Sequence, residues 1–168
     1  MGKIWLIGMM GSGKTTVAPL VAIRLGWRVL DTDTAITAGS GRPITDWLPA
    51  DLAEFRAAER SLVASAAADP GDLVVACGGG VVLDAESVAL MRADGMVVCL
   101  DAPLPVLAVR VGSGTGRPLL GGDAAAGLDA ILTERMDLYR AAAHTVVAAG
   151  EAPEAVAEAV VAAWRNSS

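Results

Sequence analysis

The segment Gly8-Met9-Met10-Gly11-Ser12-Gly13-Lys14-Thr15 fits the pattern G-x-x-x-x-G-K-[ST] in full. In such a loop the glycines let the backbone wrap closely and its N–H groups turn inward around phosphate oxygens. Lys14 then supplies charge to the β and γ phosphates of a nucleotide, and the Thr15 hydroxyl can ligate Mg²⁺. Gly11, Ser12, Gly13 and Thr16 complete the expected cradle, and the end of the helix that opens after it favours negative charge. The sequence contains no N-K-x-D segment of the kind that reads guanine, so ATP is the expected nucleotide.

Carboxylates come next, because transfer of a phosphoryl group needs a metal site and an oriented acceptor. Asp31-Thr32-Asp33 follows a short apolar run. In an extended segment the i, i+2 spacing turns both acids the same way, one toward hydrated Mg²⁺ and one toward an acceptor hydroxyl. The alternative for this pair is a turn with an Asx cap. Asp101 closes the apolar run Val97-Val98-Cys99-Leu100 like a Walker B acid, but it also precedes Ala102-Pro103 and a helix, so helix capping is the stronger reading.

Four arginines are candidates for anion binding. Arg56 lies in a helical stretch with Glu59 at i+3, in reach of an ion pair; taken alone it reads more readily as a solvated helix arginine. Arg117 stands in the Gly-rich segment GSGTGRPLLGGDA, residues 112–124. Such a stretch suggests a mobile lid that can bring its arginine onto a transferring phosphate. Arg135 and Arg140 are five apart and face differently on their helix, so at least one is surface charge.

The elements that must hold these residues alternate in type. Apolar runs at Lys3–Ile7, Arg28–Leu30, Leu73–Ala76, Met96–Leu100 and His144–Ala148 read as strands. Helical patterns cover Thr15–Leu25, 51–68, Asp84–Ala93, Pro103–Val111, Leu128–Ala142 and Pro153–Trp164. Continuous apolar strands alternating with helices specify an α/β fold with a parallel sheet covered on both faces. Ligands then bind at the carboxyl ends of the strands. The glycine loop, the Asp pair, Gly78-Gly79-Gly80 and Asp101 all fall at such ends.

Composition narrows the class. The 168 residues, 54% of them hydrophobic, suit one domain with a full core. A net charge of −6 without a run of like charge argues against nucleic-acid or anionic-membrane partners. Cys77 and Cys99 sit in apolar runs without metal or redox spacing and read as buried thiols. With no signal-peptide pattern and no apolar stretch of membrane-spanning length, a reducing cytoplasm is the expected location. His144 reads as an ordinary strand residue.

Taken together, GMMGSGKTT, DTD, EFRAAE, the triple glycine, RPLL and ERMDLYR resemble shikimate kinase, of the nucleoside-monophosphate-kinase-like P-loop fold. The resemblance spans about residues 3–164. It implies a three-layer P-loop NTPase fold whose five parallel strands run in the order 2-3-1-4-5, as a single domain over 1–168. Substrate-binding helices would cover about 33–61 and the mobile lid about 112–124. It further implies a monomer that transfers the ATP γ-phosphate to the 3-hydroxyl of shikimate, on the route to chorismate and the aromatic amino acids. By position, Lys14, Asp33 and Arg117 would be catalytic. Thr15 and, through water, Asp31 would hold Mg²⁺. Asp33 would bind the shikimate hydroxyls and be the candidate base, Arg56 and Arg135 would grip the carboxylate, and Gly78, Gly79 and Gly80 would offer backbone contacts. Arg110 would stack near adenine, with Pro153 on the other side.

Several positions depart from the family pattern. Ala18 replaces a usual glycine, Pro19 stands several residues into the first helix where proline can distort it, and Asp51 replaces a glycine common before the Arg56 helix. Trp47 takes an aromatic position that could pack against a substrate ring. The segment AAGEAP, residues 148–153, lacks the family's frequent Asp-Thr. Two other readings remain open at this level: a related kinase acting on gluconate or a nucleoside monophosphate, and a nucleotide-binding regulator without catalysis.

Overall fold

The computed structural model describes residues 2–47, 51–112 and 124–167. Five strands, β1 (Lys3–Ile7), β2 (Arg28–Asp31), β3 (Leu73–Ala76), β4 (Met96–Asp101) and β5 (Thr145–Ala148), form one sheet in the order β2-β3-β1-β4-β5. All four pairings are parallel, with Ile4 in register with Val74 on one side and Met96 on the other. This is the fold and strand order expected from the sequence. The burial pattern explains the order. β1, β3 and all of β4 but Asp101 are buried, as apolar strands covered on both faces must be. The edge strands β2 and β5 are partly exposed.

Helices cover both faces: α1 (Lys14–Leu25), α2 (Thr32–Ser40), α3 (Ile44–Trp47), α4 (Leu52–Ala68), α5 (Ala85–Asp94), α6 (Leu104–Val111), α7 (Ala124–Ala142) and α8 (Pro153–Ser167). Helix α1 runs unbroken through Pro19. It packs along α8, whose buried Val156, Ala157, Val160 and Val161 join the main core. A smaller cluster of Ile36, Trp47 and Phe55 lies among α2, α3 and α4. Together these helices form a second wall opposite the phosphate loop.

Two expectations are corrected. Asp31 and Asp33 do not share an extended segment. Asp31 ends β2 in a β conformation and caps α2, its Oδ1 accepting from the Thr34 N–H at 2.9 Å, while Asp33 lies in the first helical turn. The reason is local: a carboxylate at the N-cap satisfies an orphan N–H and starts the helix immediately. Asp101 does not cap α6. The N-cap there is Pro103, with no side-chain cap hydrogen bond, because the proline ring already presets the entry into the helix.

Candidate active site

The loop after β1 turns on glycines with φ of 81° at Gly11 and 96° at Gly13, values at which a side chain would be strained. Gly13 is the N-cap of α1. Inside the loop, Lys14 Nζ donates to the Gly8 and Met9 carbonyls at 2.7 and 2.9 Å and reaches Ser12 Oγ at 3.4 Å. Burial pulls the Lys14 pKa down from 10.5 to about 8, against the opposing pull of Asp33 first among the nearby groups. The ammonium therefore sits poorly solvated at the loop's centre, where an anion gains most from it.

A cleft of about 590 Å³ runs from this loop to the second wall. Gly11, Ser12, Gly13, Lys14, Thr15, Thr16, Asp31, Asp33, Arg56, Gly78, Gly79, Gly80, Arg110, Arg135 and Pro153 all line it. Every site residue expected from the sequence therefore reaches one cavity, except Arg117, which with most of the expected lid lies outside the described residues. Arg140 is exposed, the surface member of its pair.

At one end, Thr15 Oγ1 donates to Asp31 Oδ2 at 2.7 Å, so the cap of α2 and the first turn of α1 meet beside the loop. Arg110 fixes the opposite rim. Its Nη1 donates to the Ala149 carbonyl at 2.8 Å and the Gly11 carbonyl at 3.3 Å, tying α6 to the loop and to the segment before Pro153.

The second wall carries an ion pair. Arg56 Nη1 bonds Glu59 Oε2 at 2.6 Å, with the Glu59 side chain 3% exposed. The i, i+3 pairing holds as expected, and Arg56 is no solvated surface group. Burial raises the Glu59 pKa while Arg56 acts against it. The triple glycine explains how these groups fit. A Cβ on Gly80 would overlap the Arg56 guanidinium, and one on Gly78 would overlap Glu59 Oε1 and lie 2.9 Å from Asp33 Oδ1. These glycines are needed for room.

Four residues of the site carry no assignment from the sequence. Thr32, fully buried, accepts the Gly78 N–H on its Oγ1 at 2.9 Å. Tyr139 donates to the Gly79 carbonyl at 2.5 Å, and Arg135 Nη1 approaches the same oxygen at 3.5 Å. Ile44 lines the cleft together with Phe55, a flat apolar side for a small ring. Tyr139 stands four residues after Arg135, on the same helix face, so spacing was the available signal. Trp47 is corrected: it is buried against Phe55, with Arg42 over its ring at 4.3 Å, and Phe55 is the aromatic that meets the cleft.

The arrangement thus offers an anion cradle with a buried ammonium, an oxygen pair beside it, and two arginines and a carboxylate across the cleft. Comparison with known proteins agrees. The family profile described as "Shikimate kinase" matches residues 10–165. A shikimate kinase of Oleidesulfovibrio alaskensis is 43% identical over 162 residues, covering 94% of this chain and 94% of that protein. One of Thermobifida fusca is 44% identical over 158 residues, covering 92% and 90%. The solved structure of a shikimate kinase from Acinetobacter baumannii in complex with shikimate superposes with a TM-score of 0.92 at 26% identity, covering 99% of this chain and 94% of that one. A gluconokinase from Sinorhizobium meliloti, at 19% identity and a TM-score of 0.62 with 98% and 92% coverage, shares the fold. The chain belongs to the shikimate kinase family, kinases that transfer phosphate from ATP to shikimate.

Proposed function

From its place in the shikimate kinase family we propose that this chain, as one domain, passes the γ-phosphate of ATP to the 3-hydroxyl of shikimate across the cleft between the Gly8–Thr15 loop and α2, α4 and α7. The observation that carries the assignment of roles is the convergence of Asp33, Arg56 and Arg135 on the cavity that holds Lys14. Shikimate is a small carboxylated triol. Arginine forks suit its acid and a carboxylate suits its hydroxyls.

On the donor side, the backbone of Gly11, Ser12 and Gly13 with Thr16 holds the phosphates, and Lys14 places its charge on the β and γ groups. Arg110 and Pro153 flank adenine. Thr15 and Asp31 fit Mg²⁺: a hydroxyl and a carboxylate oxygen stand 2.7 Å apart beside the loop, and oxygen is the ligand that Mg²⁺ prefers. Among the described residues no group of three His, Cys, Asp or Glu could hold a metal. Mg²⁺ is commonly held by one or two side-chain oxygens, phosphates and water, and Asp31 would act through water. When bound, Mg²⁺ neutralises charge on the phosphates.

On the acceptor side, Arg56, held by Glu59, and Arg135 take the shikimate carboxylate. Asp33 accepts a hydrogen bond from the 3-hydroxyl, orients its oxygen toward the γ-phosphate and is the candidate to receive its proton. The glycines at 78–80 supply backbone contacts. Arg117 completes the set on the transferring phosphate. Positioning and charge stabilisation carry most of the barrier reduction in such a transfer.

The protein is read as a monomer in the cytoplasm without nucleic-acid or membrane partners. The net charge of −6 supports the lack of nucleic-acid and anionic-membrane partners, and two free buried thiols support a reducing compartment. An ADP-release assay with Mg-ATP and a panel of shikimate, gluconate and nucleoside monophosphates tests the function. Turnover that depends on shikimate is expected; a folded protein without it, or one preferring another acceptor, refutes the proposal.

A further inference from the structure

The Gly79 carbonyl lies at a seam. A Cβ on Gly79 would stand 3.7 Å from the Tyr139 hydroxyl and 3.8 Å from both Gly8 O and Met10 N, so the triple glycine abuts the phosphate loop there. Tyr139 reaches this seam from α7. It is 1% exposed, donates to Gly79 O at 2.5 Å and has Met9 Sδ 4.0 Å from its hydroxyl. Burial pushes its phenol up to about 12, with Arg135 beside it acting in the opposite direction. The hydroxyl is thus a permanent donor at working pH.

A peptide unit is planar and trans, so its C=O and N–H point in opposite directions. Holding Gly79 C=O toward α7 turns the Gly80 N–H the other way. The peptide before Gly78 is held independently, its N–H donating to Thr32 Oγ1. Two side chains from different elements thus fix the glycine segment at both ends. Arg135 is part of the same arrangement. Its Nη1 is 3.5 Å from Gly79 O, a poor bond, and its Nε is buried with no hydrogen-bond partner among the described residues. The Tyr139 hydroxyl also takes a hydrogen bond from the Arg135 side chain, so it stands between the guanidinium and the carbonyl and keeps the two from pairing fully.

We infer that Tyr139 is a positioning residue for the acceptor, its hydroxyl occupying Gly79 O so that the Gly80 N–H and the Arg135 guanidinium stay directed at the substrate carboxylate and ring. This rests on the acceptor site proposed above. Without the hydroxyl, Arg135 becomes the remaining donor to that carbonyl and is drawn away from the substrate.

The test is Tyr139→Phe with steady-state kinetics for both substrates, alongside Arg56→Lys. The Phe variant is expected to raise the KM for shikimate about tenfold, the scale of one net hydrogen bond, with the KM for ATP within about twofold. If Arg56→Lys raises the shikimate KM and Tyr139→Phe does not, the role of Tyr139 is overturned while the acceptor site stands. If Arg56→Lys has no effect, the acceptor site and this inference fall together. Equal rises in both KM values for Tyr139→Phe signify general loosening and also overturn it. A second measurement keeps the phenol hydroxyl in place. Tyr139 is the sole tyrosine, so growth on 3-fluorotyrosine gives one ¹⁹F resonance in an enzyme that retains ring and hydroxyl. Adding shikimate should shift that resonance; an unmoved signal at saturating shikimate contradicts the inference.

Discussion

Gly80→Ala isolates the steric part of the site. Gly80 has φ −96° and ψ 1°, a conformation open to alanine, so the backbone is not the obstacle. The three atoms nearest an added Cβ all belong to the Arg56 guanidinium, which must move. The guanidinium is the far end of a flexible side chain, so folding loses little beyond a strained Arg56–Glu59 pair. Overpacking costs about 1–3 kcal/mol, and the low end applies here. Binding loses more. A charge-assisted bond from Arg56 to the substrate carboxylate is worth about 1.5–3 kcal/mol, or roughly 10- to 150-fold in affinity. The assay pairs thermal denaturation with titration of shikimate at saturating ATP. The expected result is a shikimate KM raised by at least about tenfold, an unchanged KM for ATP, and a melting temperature lower by a few degrees at most. A shikimate KM within about twofold of the parent refutes the placement of Arg56 at the acceptor carboxylate.

Asp33→Asn should abolish phosphoryl transfer while leaving the dissociation constant for ATP nearly intact, as measured by calorimetry; an equal loss of nucleotide affinity contradicts the role given to Asp33. The folded pKa of Lys14 lies below its ordinary value, at about 8. The ammonium is therefore charged at neutral pH and lost as pH rises through that value, and bound phosphates restore it. Calorimetry in buffers of different ionisation enthalpy should show proton uptake on ATP binding above pH about 8, with affinity falling as pH rises; binding without proton uptake there would be against it. Gly39→Ala, in α2 with nothing within 4 Å of the added methyl, should raise stability by about 0.5–1 kcal/mol and the melting temperature by about 1–4 °C without changing turnover, which a calorimetric scan checks.

The sequence was most informative where chemistry dictates contiguous residues. Gly8–Thr15 needs its glycines, Lys and Thr within eight positions, and Arg56 and Glu59 are neighbours on one helical turn. The sheet was equally readable, since buried parallel strands are nearly all apolar. Where two local rules compete, the sequence alone does not decide between them. Asp31 obeyed capping instead of strand alternation, and Pro103 displaced Asp101 as the cap of α6. Trp47 turned into the small core because Phe55 took the cleft. Thr32 and Tyr139 are illegible in the sequence for another reason. Their partners lie 46 and 60 residues away, and only the packed fold brings a hydroxyl to a particular peptide group. The triple glycine stands out in the sequence, but its need for room depends on where Arg56 and Glu59 arrive from α4.

A crystal structure with shikimate and ADP bound tests the central claim most directly. It should show the shikimate carboxylate on Arg56 and Arg135, a hydroxyl on Asp33 facing the ADP β-phosphate, and that phosphate in the backbone of Gly11–Thr16 against Lys14. A shikimate carboxylate held elsewhere, with Asp33 remote from every hydroxyl, would contradict it.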